Sequence, residues 1–274
     1  MDIMFRIHEL ILLLYFVSLS VLCYDLFFRN RRARKASFYI ALFAALLQSV
    51  SFVSIGISIG RIPVQTMFEG FYALSMLIII AGLVHYRKSD SEIALFIYIL
   101  TTFTLYTLYT FAPVTYDRIT EVSTLMNELL VIHVGLALIA YLLFFISVLH
   151  AVIYVIQYDN LKKKRFNRLF FSLFSIGTAE KMMVRSMMFG VFSMSVSILL
   201  GAIWGVNIIG VDIFRDFKVL GTFVVLLMYA ALLFQVRTAR NLQRIAKLNI
   251  AVFIICMLNY LFITQLSSFH FWGY

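Results

Sequence analysis

The sequence predicts an all-α membrane protein, a polytopic bundle of about eight transmembrane helices. Of its 274 residues, 63% are hydrophobic and only 13% are charged, and the mean hydropathy is +0.97. A soluble domain does not need that much apolar surface. Each crossing of a bilayer takes about 20 apolar residues, and a helix satisfies its own backbone hydrogen bonds. The long apolar runs therefore favour helices over a β-barrel, whose strands alternate in short segments.

The first four predicted helices are apolar runs bounded by charged or turn-forming clusters. The run 9–28 ends at RNRRARK, and the run 37–59 lies between that cluster and GRIP. The run 70–86 is followed by RKSDSE, and the run 92–111 ends at the Ala-Pro pair of the next loop. Proline and charged residues are costly inside an apolar span, so these clusters indicate where each helix ends.

The last four predicted helices follow the same pattern. They are 129–157, which leads into YDNLKKKR, then 187–206, 217–236, which leads into RTAR, and 248–267. The fifth predicted helix is longer than one crossing requires, so we expect it to tilt or to extend beyond the bilayer. No large soluble segment remains, and the sequence predicts a single integral membrane domain over residues 1–274.

Basic residues indicate how the helices are oriented. Eighteen of the 23 lysines and arginines fall on one side of this topology, within 29–35, 87–88, 162–185 and 237–247. The positive-inside rule assigns that side to the cytoplasm and both termini to the extracellular side. Topology and contact with anionic lipids thus account for the net charge of +10. Nucleic-acid binding is not expected.

The five histidines divide between the two sides of the membrane. His8, His133 and His270 are expected on the outer side, whereas His85 and His150 fall toward the cytoplasmic ends of their helices. Histidines near a membrane interface commonly serve as amphipathic side chains, which is the simpler interpretation of the inner pair. The outer three can supply neutral imidazole nitrogens to a metal.

Two kinds of metal site remain open at this point. Zinc would recruit acidic partners, and Glu9, Glu69 and Glu128 lie at the outer edge. A haem iron would need one or two axial ligands, an aromatic slot and cations for its propionates. Arg61, Arg215 and Lys218 are on the correct side for that role.

Four segments then resemble the CcsA/CcmC-type family of haem-handling cytochrome c assembly membrane proteins. GRIPVQTMFEGFYALSM is similar to the family's G-x-x-P-x-x-x-x-(F/Y)-E stretch. NELLVIHVGLALIAYLLF is similar to its N-x-L-L-I-H-V segment, and the tail SSFHFWGY is similar to its G-L-H-S-Y ending. The fourth segment, WGVNIIGVDIFRDFK at 204–218, resembles the family's tryptophan-rich loop, with Trp204, Gly210, Asp216 and Lys218 at matching positions.

The departures from the family pattern are informative too. Three tryptophans of the loop pattern are replaced by Ile209, Ile213 and Arg215, and its proline and final glutamate by Phe217 and Val219. The histidine that the family carries near the end of the seventh helix is missing from FQVR. A second haem site on the cytoplasmic side, with His85 and His150 near it, is therefore left open.

The resemblance implies a haem b on the outer side, with His133 and His270 as its axial ligands. His8 would be a reserve ligand or a wall of the site. The cover and the propionate contacts would come from the loop 204–218 and from GRIPVQTMFE, and the implied haem-contacting residues are Trp204, Asp216, Lys218, Arg61, Glu69 and Arg215.

Within this superfamily, the short length and the opening MFRIHELILLLYFVSLSVLCYDLFFRNRRA most resemble the HemX family. That resemblance implies a multi-pass protein of a Gram-positive cell membrane that limits the abundance of glutamyl-tRNA reductase, directly or indirectly through cytoplasmic loops. One alternative is haem delivery during cytochrome c maturation, and another is a transporter or scaffold without haem. No nucleophile and base with credible spacing indicate an enzyme, although a contribution to haem ligation stays open.

Overall fold

The computed structural model describes residues 2–64, 66–111, 128–208, 210–238 and 241–261. Every regular element within these ranges is helical, which confirms the all-α fold class. The α-helices are α1 (Asp2–Phe28), α2 (Arg31–Ile59), α3 (Met67–Ser89), α4 (Glu92–Thr110), α5 (Glu128–Lys162), α6 (Arg168–Ser172), α7 (Ile176–Ile208), α8 (Phe217–Thr238) and α9 (Leu242–Leu261). A short 3-10 helix, Val211–Arg215, precedes α8.

Eight of these helices are long and apolar enough to cross a membrane, as the sequence predicts. All the α-helices except the five-residue α6 belong to this set. Large apolar side chains on their outer surfaces are exposed, including Phe27 and Ile57 at 81% and 78%. Such surfaces are stable only against lipid. The protein is therefore a multi-pass membrane protein, and the side on which each end lies stays a prediction.

Several helices begin earlier than the apolar runs indicate, because charged residues continue them beyond the apolar part. Asn30 caps α2, since its side chain accepts hydrogen bonds from the backbone nitrogens of Arg32 and Ala33. The basic residues that follow are good helix formers, and the helix starts at Arg31 instead of residue 37. Likewise α7 starts at Ile176, well before residue 187.

The helices form two compact units, α1–α4 and α5–α9. The prediction of one integral membrane domain over residues 1–274 stays a prediction. We describe each unit by itself, and the functional residues below are assigned to one unit or the other.

The first unit contains a buried polar network. The Tyr15 hydroxyl donates to Gln48 Oε1 at 2.6 Å, and Gln48 Nε2 donates to Ser75 Oγ at 2.8 Å. Toward one end of the unit, Arg34 pairs with Asp25 at 2.7 Å and with Glu92 at 3.3 Å. These bonds join α1, α2, α3 and α4. Since an unpaired polar group is costly away from water, these bonds reduce the cost of placing polar side chains in an otherwise apolar core.

The second unit is built on close packing of α5 against α7. Gly190 faces Phe144, and a Cβ at that glycine would lie 2.6 Å from the Phe144 ring. Phe144 also stacks on Tyr229 of α8, with ring centroids 3.8 Å apart. Ser147 donates to the carbonyl of Met183 at 2.9 Å. The two backbones can approach this closely because α7 presents small residues at the contact.

Candidate functional site

His133 lies in the second turn of α5 and packs directly against the backbone of α7. Its Nδ1 is 2.6 Å from the carbonyl oxygen of Ser197. The Ser197 hydroxyl returns the contact by donating to the carbonyl of His133 at 2.8 Å, and its Oγ is also 3.1 Å from Nδ1. The imidazole is thus attached to α7 through Nδ1 alone.

This geometry determines which ring nitrogen carries the proton. A carbonyl oxygen has no proton to donate, so Nδ1 must donate and the neutral ring keeps its lone pair on Nε2. Among the described residues, no hydrogen bond engages Nε2. Metal-binding histidines commonly donate one N–H to a backbone carbonyl in this way. In this tautomer, the Nε2 atom of His133 carries the lone pair that a ligating imidazole uses.

Gly201 provides the space that the imidazole occupies. A Cβ at position 201 would lie 2.5 Å from Cε1 and 2.6 Å from Nδ1 of His133. Real side chains do not approach each other this closely, so any larger residue would displace the ring. Ser197, Gly201 and Trp204 recur at helical spacing and therefore share one face of α7.

Trp204 presents an unsatisfied donor near this face. Its indole nitrogen Nε1 is buried and has no hydrogen-bond partner among the described residues. One residue later, Gly205 contacts the buried Ile213 of the 3-10 helix so closely that a Cβ would overlap it. Ile213 occupies a position that is tryptophan in the family pattern, so the loop is held against α7 by an aliphatic side chain.

The end of this loop carries a cap and a cation. Asp216 is buried and caps α8, since its Oδ1 accepts hydrogen bonds from the backbone nitrogens of Lys218 and Val219 at 2.9 and 3.4 Å. Lys218 lies close enough to His133 for its charge to act on the imidazole. Within the described part of the chain, Lys218 forms no ion pair. His133 and Lys218 thus belong to the same unit.

Arg215 has a different environment from Lys218. It pairs with Asp212 at 3.3 Å, and the two side chains are 87% and 67% exposed. Such a surface pair is weak, so Arg215 is free to leave it. The structure does not bring Arg215 to the imidazole of His133.

His8, Arg61 and Glu69 belong to the first unit. His8 is buried, with Nδ1 3.0 Å from the Tyr106 hydroxyl and Nε2 3.4 Å from that of Tyr109. Arg61 and Glu69 form a bidentate ion pair at 2.8 and 3.0 Å. Glu69 also completes a capping box with Thr66 at the start of α3. In the structure, these two charges satisfy each other.

The remaining predicted positions are less informative. His270, the second predicted ligand, lies outside the described residues. His85 contacts the Tyr98 hydroxyl at 3.0 Å in the first unit, and His150 contacts the carbonyl of Ile146 in the second. No group of three or more metal-ligating side chains occurs within the described ranges.

Ser197 and Gly201 are the site residues that motif reasoning missed. A signal for them exists in α7, where small residues recur at every fourth position: Ser193, Ser197, Gly201 and Gly205. That spacing is typical of close contact between transmembrane helices. It indicates which face of α7 is packed, but only the structure shows that a histidine lies on it.

The fold and the site define a multi-pass membrane protein whose second unit holds the His133 imidazole by its Nδ1 atom. The chain belongs to the cytochrome c assembly protein family, whose profile matches residues 7–270. It is 31% identical over 271 residues to the protein HemX of Bacillus subtilis (strain 168), covering 97% of each chain. It is also 30% identical over 268 residues to the protein HemX of Brevibacillus brevis, again covering 97% of each.

Proposed function

We propose that the chain binds one haem b through His133 and acts as a HemX-like regulator of haem biosynthesis. The observation that carries the proposal is the geometry of His133, whose Nδ1–H is donated to the Ser197 carbonyl while Nε2 keeps its lone pair. Iron in haem takes such a nitrogen as an axial ligand. The family supports the cofactor, since cytochromes c are haem proteins and the matched family is one of cytochrome c assembly.

The residues around His133 fit a haem in three further respects. Lys218 supplies a cation for a propionate, and Trp204 supplies a buried N–H that lacks a partner among the described residues. Val211, Phe214 and Phe217 expose 73%, 49% and 62% of their surfaces beside the loop and can cover an apolar ring. When bound, the haem would supply an iron centre whose oxidation state can change.

The other residues of the proposed site have assigned roles. His270 would be the second residue to hold the haem iron, and Asp216 orders the loop by capping α8. Arg61 and Glu69 form an ion pair within the first unit, and Arg215 of the second unit is available for a propionate. His8 is less suited to bind a metal, because both of its nitrogens contact tyrosine hydroxyls of the first unit.

We further propose that the chain is not an enzyme and that it lowers the abundance of glutamyl-tRNA reductase. Support comes from two relatives named HemX that align over 97% of the chain. The loop 204–218 lacks three of the four tryptophans of the family pattern. This loss supports a protein that retains haem over one that presents haem to a partner. The family match favours a second candidate, in which the chain delivers haem during cytochrome c maturation.

An absorption spectrum tests the haem assignment. The purified wild-type protein should show a Soret band that shifts on reduction, and His133→Ala should lose most of it. His85→Ala is a matched control, since that imidazole contacts a tyrosine in the other unit. A wild-type protein without haem after reconstitution would contradict the assignment.

Deleting the gene distinguishes the two biological roles. If the chain is a regulator, the deletion strain should contain more glutamyl-tRNA reductase protein and retain its c-type cytochromes. The delivery component predicts the reverse, with c-type cytochromes lost and reductase abundance unchanged. Immunoblotting for the reductase and haem staining of c-type cytochromes in the same cells measure both.

A further inference from the structure

Ser197 contacts His133 at two points. The backbone carbonyl of Ser197 accepts the Nδ1 proton at 2.6 Å, and its side-chain hydroxyl donates to the carbonyl of His133 at 2.8 Å. Ser197 is 1% exposed, so water does not compete for either bond. The imidazole is thereby fixed in position relative to both α5 and α7.

The backbone carbonyl of Ser197 is available because Gly201 lies one turn later. In an α-helix, the carbonyl of each residue accepts from the N–H four positions on, and the side chain at that later position leans back over it. Glycine has no side chain to cover the carbonyl. A Cβ at 201 would lie 2.6 Å from Nδ1, in the space that the bond from His133 to Ser197 uses.

From these contacts we propose that Ser197 and Gly201 are positioning residues that hold His133 in its Nδ1–H tautomer and present Nε2 to the haem iron. The assignment of haem iron as the metal that Nε2 binds rests on the proposed function. The tautomer does not, because both contacts exist in the chain without a cofactor. A carbonyl that accepts the N–H at Nδ1 also increases the basicity of Nε2, the nitrogen that would bind the metal.

The same helix offers controls that separate positioning from packing. Gly190→Ala would overpack α5 against α7 at Phe144, with a closest approach of 2.6 Å, without touching His133. Gly177→Ala on the same helix places its Cβ in open space. A purely structural role predicts that Gly201→Ala and Gly190→Ala behave alike.

Haem titration of the full-length protein measures positioning of the ligand. Gly201→Ala should weaken haem binding by about 10- to 100-fold and shift the Soret band, as loss of outer-shell support does at other metal sites. Gly190→Ala and Gly177→Ala should keep the wild-type spectrum. Equal spectra for Gly201→Ala and Gly190→Ala would overturn the proposal.

A second measurement uses the haem-free protein and reads the tautomer from the wild type itself, with a variant needed only for signal assignment. Nitrogen-15 NMR of labelled histidines, with the His133 signals assigned by their loss in His133→Gln, reports the tautomer directly. The proposal expects Nδ1–H in the wild type, and a protonated Nε2 with bare Nδ1 would overturn it. If the tautomer is as expected but no haem binds, the positioning inference stands and the proposed haem function fails.

Discussion

The imidazoles of His133 and His8 differ in how many of their nitrogens are engaged. His8 has a tyrosine hydroxyl at each nitrogen, so binding a metal would break a contact inside the first unit. His133 has only Nδ1 engaged by described residues. The sequence predicts that both histidines lie at the outer edge. It does not show their hydrogen-bond partners, since Tyr106 and Tyr109 are about a hundred positions away from His8 in the chain. This difference is why the haem ligand that we propose is His133 and not His8.

Trp204 leads to a prediction in which haem-free and haem-bound proteins respond in opposite directions. Its buried indole N–H lacks a partner among the described residues, and an unsatisfied buried donor costs about 1–3 kcal/mol. Trp204→Phe should therefore stabilise the haem-free protein slightly, or leave it unchanged, while weakening haem retention. Thermal unfolding in detergent and haem titration measure the two effects.

Trp204→Leu is a useful companion variant, because it removes both the donor and much of the aromatic surface. It should destabilise the protein in both states, since a large side chain is replaced by a smaller one. If Trp204→Phe instead lowers the stability of the haem-free protein by as much as Trp204→Leu does, the indole N–H has a partner that matters for folding.

At the level of elements, the turn before α3 is held by charge as well as by its cap. Gly60 ends α2 with a positive φ of 67°, which glycine adopts without strain. Arg61 then pairs with Glu69 in the first turn of α3, with side chains 5% and 9% exposed. This pair joins the end of α2 to the start of α3 across the segment GRIPVQTMFE.

Removing one member of this pair should be costly. Arg61→Ala leaves the Glu69 carboxylate buried beside an empty space, which typically costs about 3–5 kcal/mol. Arg215→Ala is the matched control, because it also deletes an arginine from an Arg–Asp or Arg–Glu pair, but an exposed one worth about 0–1 kcal/mol. Chemical or thermal unfolding of both variants in one detergent checks the ranking, and equal losses would refute it.

For the whole molecule, the predicted orientation leads to a test in the second unit. The predicted cytoplasmic ends of α5, α7, α8 and α9 carry exposed cations that can contact anionic lipids. They are Lys162, Lys163, Lys164, Arg165, Lys181, Arg185, Arg237, Arg244 and Lys247. Cations placed this way resist translocation, so this end should be cytoplasmic.

Cysteine labelling in intact cells tests that orientation. Both native cysteines, Cys23 and Cys256, are free and can be replaced by serine. In that background, Phe214→Cys should react with a membrane-impermeant maleimide in intact cells, whereas Lys163→Cys should react only after permeabilisation. Both positions are exposed, so access to the reagent decides the outcome. The reverse labelling pattern would contradict the predicted orientation and indicate the opposite one.

Sequence reasoning predicted the number of spanning helices and the family well. Apolar runs of about 20 residues and the clusters between them are local properties, so they survive without any tertiary information. Helix ends were less accurate. Arg31 and Ile176 begin helices that the apolar pattern starts later, because hydropathy measures contact with lipid and not hydrogen bonding.

Only the tertiary structure could decide what surrounds each functional side chain. His133 and Ser197 are 64 residues apart, and Lys218 is further still. Their meeting depends on the close packing of α5 on α7 and on the short loop before α8. The sequence alone indicates which residues can bind a metal or a charge. The sequence does not show which ring nitrogen of His133 is available or whether Arg61 is already paired. Both depend on distances of a few ångströms between different elements.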